Sequence, residues 1–238
     1  MIVRPNHSLP KLPDQFADMR ALLLIGLILC VACGGKGAST ADRIKTYGAA
    51  VKERIEPLCT ANGVAYPPKS LTLIGLKSEK QLELWAPDAK GRPRLLKTYP
   101  VLAASGGIGP KLREFDSQVP EGLYDIESLN PNSRYHLSLR VGYPNAEDRR
   151  HAKSDGRTNL GGDIMIHGSN VSIGCLAMGD PASEELFVLA ALAGPANVKV
   201  ILSPIDFRKQ ATVKIPAGQP DWVPALHEQI KAALSRYP

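Results

Sequence analysis

The spacing of apolar residues changes along the chain, and each change marks an element. Between Ala41 and Ala61, Ile44, Tyr47, Val51, Ile55 and Leu58 recur at intervals of three and four, the repeat of one helical face, and Asn62-Gly63 supplies a stop. The runs then shorten. Leu71 to Leu76 and Gln81 to Trp85 flank the polar stretch Lys77 to Lys80, which predicts a β-hairpin. Arg94 to Ala104, Gly122 to Ile126, Tyr135 to Val141 and Ile164 to Ile166 follow as strands between Gly, Pro and Asn clusters. Asp180-Pro181 predicts a helix start with the acid as N-cap, and Leu186, Phe187, Leu189, Ala190 and Leu192 form its inward face until Gly194-Pro195. Val198 to Leu202 reads as a buried strand. From Pro220 to Tyr237, Trp222, Leu226, Ile230 and Leu234 recur every four residues, the pattern of a closing helix that braces the surface. The whole predicts a mainly β chain with flanking helices, α+β, with one core and no internal repeat.

The N-terminus follows a different rule. Ala21 to Ala32 is continuously apolar, preceded by Arg20 and followed by small residues, the pattern of a secretory signal. It falls short of the roughly 20 residues that cross a bilayer. Residues 1–18 are polar and hold three prolines, so Met19 makes a more ordinary start. The sequence Val31-Ala32-Cys33-Gly34-Gly35 is similar to a bacterial lipoprotein cleavage site, with Cys33 as the lipid acceptor, although Cys30 stands where leucine is usual. Lipidation and ordinary cleavage both remain open. Residues 34–40 form a flexible tether. Membrane contact is expected only through this leader or a lipid on Cys33.

The net charge of +6 becomes +5 without residues 1–33, which carry Arg4, Lys11 and Arg20 against Asp14 and Asp18. With few aromatics and no nucleic-acid motif, a basic chain of this kind suits anionic envelope polymers rather than DNA or RNA. Outside the leader only Cys59 and Cys175 remain, and both are expected to be free thiols, Cys59 packing at a helix end.

The chemistry gathers at residues 164–178. His167 stands eight positions ahead of Cys175, with Gly168 and Gly174 beside them. An ordinary thiol is only a few per cent thiolate at pH 7, so a nucleophilic cysteine needs a base such as an imidazole beside it. Ile164 to Ile166 reads as the strand that delivers His167, Ser169 to Ser172 as the turn, and Gly174 as the residue that lets backbone amides face an oxyanion. A buried cysteine that merely fills space is the alternative. Structural zinc wants four Cys or His ligands at short paired spacings, and no second pair stands here, so no metal is expected. The run Ser105-Gly106-Gly107-Ile108-Gly109 lacks the lysine and helix of a phosphate loop and reads as a turn.

His167-Gly168 followed by Ser172-Ile173-Gly174-Cys175-Leu176-Ala177-Met178 resembles the signature of the L,D-transpeptidase (YkuD) family, its YafK-like branch above all. Val64 to Lys69, Lys80 to Trp85, Pro120 to Tyr124 and Ser203 to Phe207 fit the same pattern. The resemblance covers residues 65–207 and divides the chain into a leader (1–33), a tether with helix (34–64), a catalytic domain (65–207) and a helical extension (208–238). It implies a β-sandwich-like catalytic fold and a periplasmic or envelope enzyme. Cys175 would form a thioester with a peptidoglycan stem peptide, His167 would be the base, the Gly168 carbonyl would fix its tautomer and amides near Gly174 would hold the oxyanion, with no cofactor. Two departures stand out. The His–Cys loop is short, and Ala177 replaces the family's usual arginine, so transfer to another stem or to an envelope lipoprotein competes with hydrolysis by an L,D-specific amidase. A non-catalytic envelope-binding lipoprotein is the third possibility.

Ser172, His136 and Arg157 are the candidate substrate contacts. Alternation in residues 133–140 sends His136 to one strand face and Tyr135 to the other, where His136 lines a cleft or simply meets solvent. Arg157 belongs to the charged segment Glu147 to Arg157, suited to stem carboxylates. His151 in that segment reads as a solvated loop residue.

Overall fold

The computed structural model describes residues 37–238. The export and lipidation expectations, with Met19 and Cys33, lie outside the described residues. Among the described residues no helix is long and apolar enough to cross a membrane.

The first helix, α1 (Thr40–Ala61), opens with a capping box. The Ser39 hydroxyl accepts the Asp42 N–H at 3.1 Å, and the Asp42 carboxylate accepts the Ser39 N–H at 2.8 Å. Its apolar stripe buries Val51, Ile55 and Cys59. Eight strands follow: β1 (Leu71–Leu76), β2 (Gln81–Pro87), β3 (Pro93–Pro100), β4 (Gly122–Ser133), β5 (His136–Val141), β6 (Met165–His167), β7 (Leu176–Ala177) and β8 (Val198–Ser203). They form one mixed sheet in the order β3-β2-β1-β8-β4-β5-β6-β7. β1 with β8 and β6 with β7 are parallel, and the remaining pairs antiparallel. Three more helices complete the α+β fold: α2 (Ala146–Ser154), α3 (Asp180–Ala193) and α4 (Val223–Leu234).

The sheet curls, and β4 is where it turns. Its first residues, Gly122 to Asp125, pair with β8, while Ile126 onward pairs with β5, with register breaks after Ile126 and Asn130. Bulges of this kind bend a strand and raise its twist. The curl brings the far end back: the chain after β3 bonds to β7, with Leu102 N–H donating to Ala177 at 2.8 Å and Ala177 N–H to Ala103 at 2.9 Å. Gly75 on β1 sits against this closure. A Cβ there would lie 2.7 Å from the end of the Leu202 side chain and 3.4 Å from that of Leu176, so a larger residue would have to displace Leu202.

Alternation along β1 explains the layers. Leu71 and Leu73 enter the enclosed core with Leu82, Leu84, Val200 and Leu202, while Ile74 and Leu76 face the other way with Trp85 and Ile201. α4 covers that second face through Leu226, Ile230 and Leu234, each worth about 1.5–3 kcal/mol of apolar burial. The closing helix is therefore one wall of a second core.

Three sequence expectations change. The segment around Glu147 to Arg157 is largely helical: α2 is capped by Asn145 and Asp148. His151 is correspondingly no solvated loop residue, because it is buried and stacks on Trp222 at 4.0 Å. The N-cap of α3 is Gly179 at φ 78°, not Asp180, whose carboxylate serves elsewhere.

Candidate functional site

His167 ends β6 and Cys175 immediately precedes β7. In the parallel register Ile166 faces Leu176 and His167 faces Ala177. Ile166 and Leu176 both enter the core, so alternation along β6 turns His167 to the opposite face, while Cys175, in the bend just before β7, lies next to the strand that carries His167.

Each side chain is held by the backbone beside it. The His167 Nδ1 lies 2.6 Å from the Gly168 carbonyl oxygen. A carbonyl only accepts, so Nδ1 carries the proton and Nε2 keeps its lone pair. His167 is 2% exposed, and this burial holds its imidazole below the ordinary value of 6.5, against the opposing pull of the Gly168 bond. The base is neutral at neutral pH. Cys175 Sγ accepts the Met165 N–H at 3.4 Å and lies 3.5 Å from the Asp163 carbonyl, to which the thiol donates. Burial pushes this thiol above its ordinary value of 9.0, only partly countered by the Met165 amide. The resting pair is thus a thiol and a neutral imidazole rather than an ion pair.

The loop between them is fixed by polar bonds. Ser172 Oγ accepts the Cys175 N–H at 3.0 Å and donates to the Cys175 carbonyl at 2.7 Å. The hydroxyl read as a substrate contact is turned back on the cysteine's own backbone. Gly174 N–H donates to Ser105 Oγ at 2.6 Å. Both amides expected to face an oxyanion therefore already carry hydroxyl partners. Gly174 adopts φ 82°, the left-handed conformation that glycine takes without strain. Asp180 Oδ1 accepts the Ser169 N–H at 2.8 Å, tying α3 to this loop.

The remaining candidates lie apart from one another. His136 bonds Glu184 through Nε2 at 3.1 Å and meets the Tyr47 ring edge-on at 5.4 Å, so its ring is spent between α1 and α3. Arg157 donates to Asp155 at 2.7 Å and to the Leu112 carbonyl at 2.7 Å, bracing α2 against the loop that precedes β4. That loop forms one wall of the cleft. A cavity of about 260 Å³ lies between Lys111, Phe115, Asp163, Ile164, Ile173 and Gly174, and another of about 230 Å³ lies where Ser105 and Leu176 meet Leu76, Lys77 and Val101. Cys59 and Cys175 are both free thiols, Cys59 being buried in the last turn of α1. Among the described residues no group of three His, Cys, Asp or Glu is placed to hold a metal ion.

Sequence reasoning missed Ser105, Asp163, Asp180 and Tyr135. Ser105 and Asp163 act from loops without periodicity, Ser105 from 69 residues away. The Tyr135 ring lies tilted over the His167 ring, centroids 4.8 Å apart; the backbone signal, a left-handed turn at His136, is invisible in alternation.

The chain is 39% identical over 133 residues to "Putative L,D-transpeptidase YafK" of Escherichia coli (strain K12), and equally to its counterpart in strain O157:H7; the match covers 54% of this chain and 51% of each relative. The chain thus aligns with about half the length of these curated relatives. Among solved structures, the helical cell shape determining protein Pgp2 of Campylobacter jejuni aligns over 70% of this chain and 57% of its own at 22% identity and a TM-score of 0.45. Bd1075 of Bdellovibrio bacteriovorus aligns over 71% and 55% at 16% identity and a TM-score of 0.42. The L,D-transpeptidase catalytic domain family, YkuD, matches residues 74–201, a span that runs from β1 to β8 and holds both His167 and Cys175, and the chain belongs to that family.

Proposed function

We propose that the protein is a cysteine acyltransferase of the bacterial envelope acting on peptidoglycan stem peptides. One observation carries this reading: Cys175 immediately precedes the strand that pairs with β6, with its sulfur on the β6 backbone at Met165, and the Nδ1 bond to Gly168 leaves the Nε2 of His167 free to take a proton. Cys175 Sγ attacks the carbonyl that follows the L-centre of a meso-diaminopimelate residue while His167 Nε2 takes the thiol proton. Because the resting thiol is protonated, this transfer accompanies attack rather than preceding it. The developing oxyanion competes with the neutral Ser105 hydroxyl for the Gly174 amide and wins as the charged acceptor. Collapse forms the thioester, breaks the C–N bond and passes the proton from His167 to the departing amine. An acceptor amine from a second stem or an envelope lipoprotein then attacks the thioester, and Cys175 leaves as the thiol.

Hydrolysis by water at the same thioester is the second reading, favoured by Ala177 in place of the family's arginine and by the seven-residue loop between His167 and Cys175. The proposed location is the periplasm or envelope, reached through the leader, with or without a lipid on Cys33.

Intact-mass measurement of purified protein incubated with tetrapeptide stems tests the proposal. A stem acyl adduct on Cys175 is expected, absent from Cys175→Ala, with crosslinked product when acceptor stem is added. Unchanged turnover by folded Cys175→Ala ends the cysteine reading. Release of free acids alone, even with excess acceptor, converts transferase to amidase, and tight stem binding without any adduct favours the non-catalytic protein.

A further inference from the structure

His167 lies on the face of β6 opposite the core residue Ile166, yet it is almost fully buried. Something outside the core must cover it. The tip of the β4–β5 hairpin does so. Tyr135 lies over the imidazole with ring centroids 4.8 Å apart and planes tilted by 32°, while the tyrosine itself remains 40% exposed on its other side.

The hairpin tip is built to hold that ring in place. His136 adopts φ 71°, a left-handed conformation that costs a side-chain-bearing residue about 1–3 kcal/mol and persists only where neighbours enforce it. The enforcing contacts are the His136 bond to Glu184 and its edge-on contact with Tyr47. This left-handed residue breaks the strand alternation that would otherwise send Tyr135 to the side of Leu137. Gly168 completes the fit. A Cβ at Gly168 would fall 2.8 Å from the Tyr135 carbonyl oxygen, 2.9 Å from His136 Cβ and 2.6 Å from Asp180 Oδ1, so the hairpin rests directly on the His–Gly corner.

We propose that Tyr135 is a positioning residue for the general base: its ring shuts water off the His167 imidazole and limits its rotation, leaving the proton on Nδ1 and the lone pair of Nε2 available to the thiol. The inference rests on reading His167 as the base. The titratable or charged groups around His167 are Cys175 beside β7, Asp180 and Glu184 on α3, His136 on β5, and Asp163 before β6, which pairs with Arg140 at 3.0 Å. Burial, rather than any of these charges, is what lowers the His167 imidazole. Removing the cover should therefore rehydrate the imidazolium and raise the pH at which it forms.

The test uses the full chain with isotopically labelled histidine, His167 being identified by the signal lost in His167→Gln. In Tyr135→Ala the imidazole titration midpoint is expected to rise by about one pH unit, and in Tyr135→Phe to stay with the parent, because stacking and not the hydroxyl supplies the cover. Tyr135→Leu, which keeps bulk without a flat face, provides a second folded variant and is expected to rise by a smaller amount. Midpoints in both the Ala and Leu variants equal to the parent overturn the proposal, as does a Phe variant that behaves like Ala. The readout needs no substrate, so it stands or falls separately from the acyl-transfer reading. With stem substrate, Tyr135→Ala should lose about three- to sevenfold in acylation rate at pH 6 and recover most of it at pH 8. An equal loss at both pH values assigns Tyr135 a merely structural role and overturns the link to the base.

Discussion

The two ends of the sheet are held together by different means. At the β1–β8 end, six-residue strands run in continuous register and bury apolar side chains on both faces, one against the enclosed core and one against α4. At the β6–β7 end the strands have three and two residues. Ladders so short add little cohesion. Their place is taken by side-chain bonds to backbone: Ser172 to Cys175, Ser105 to Gly174 and Asp180 to Ser169. The first end owes its order to burial, which tolerates small displacements. The second depends on hydrogen bonds of fixed length and direction, which suits groups that must meet a reacting atom.

The sharpest way to break this comparison is to exchange one residue from each end. Leu73→Ala on β1 empties a fully buried site and should cost about 2–5 kcal/mol of stability, while the folded fraction acylates at the parent rate. His167→Gln should do the reverse, slowing acylation by about 10² to 10⁴ at neutral pH with little change in melting temperature. The pH dependence follows from the two directions of shift. With His167 held below 6.5, the parent rate rises with pH at a midpoint under that value and then stays level, since the thiol remains protonated until above 9.0. His167→Gln lacks the acid-side rise and regains rate only as the thiol ionises at high pH. A mutant equally impaired at every pH would make His167 structural.

The same contrast governs what was legible in the sequence. β1, β2 and β8, with α1, α3 and α4, follow from periodicity because burial imposes periodicity. His167 and Cys175 follow from local spacing. β7 has two residues and no pattern to read. α2 buries only His151 and Ala152, too little to leave an apolar stripe in a charged segment. Alternation sends Tyr135 to the side of Leu137, whereas its ring lies over His167, because Tyr135 belongs to the turn between β4 and β5 and His136 is left-handed. Arg157 and Ser172 have the right chemistry for substrate, yet both are engaged within the fold, and sequence alone carries no record of which partner a polar group has found.

Ser172→Ala probes the hydrogen-bonded end more gently. It removes one acceptor and one donor from the Cys175 backbone, each worth about 0.5–1.5 kcal/mol. The expected result is about a tenfold loss of acylation rate, read by single-turnover mass spectrometry, with melting lowered by only a few degrees. A variant that keeps the parent rate would show that the short β6–β7 ladder holds the thiol unaided.

The smallest effect separates the two cysteines. Cys59 is 1% exposed in α1, and burial pushes its thiol up to about 11, so it carries almost no thiolate at neutral pH. It belongs to the apolar core with Val51 and Ile55 rather than to any reactive site. Cys59→Ala therefore loses one buried sulfur, about 1 kcal/mol, or about 2–4 °C in melting temperature for a chain of this size. Acylation should be unchanged. Cys175 also has a raised thiol, but it is partly exposed and stands beside the strand that carries His167, so a difference in alkylation between the two measures what that placement contributes beyond burial. Peptide mapping after limited treatment with iodoacetamide should find label on Cys175 well before Cys59. Equal labelling, or a large loss of acylation in Cys59→Ala, would mean that α1 bears on the chemistry and that the division between the two ends of the sheet is drawn in the wrong place.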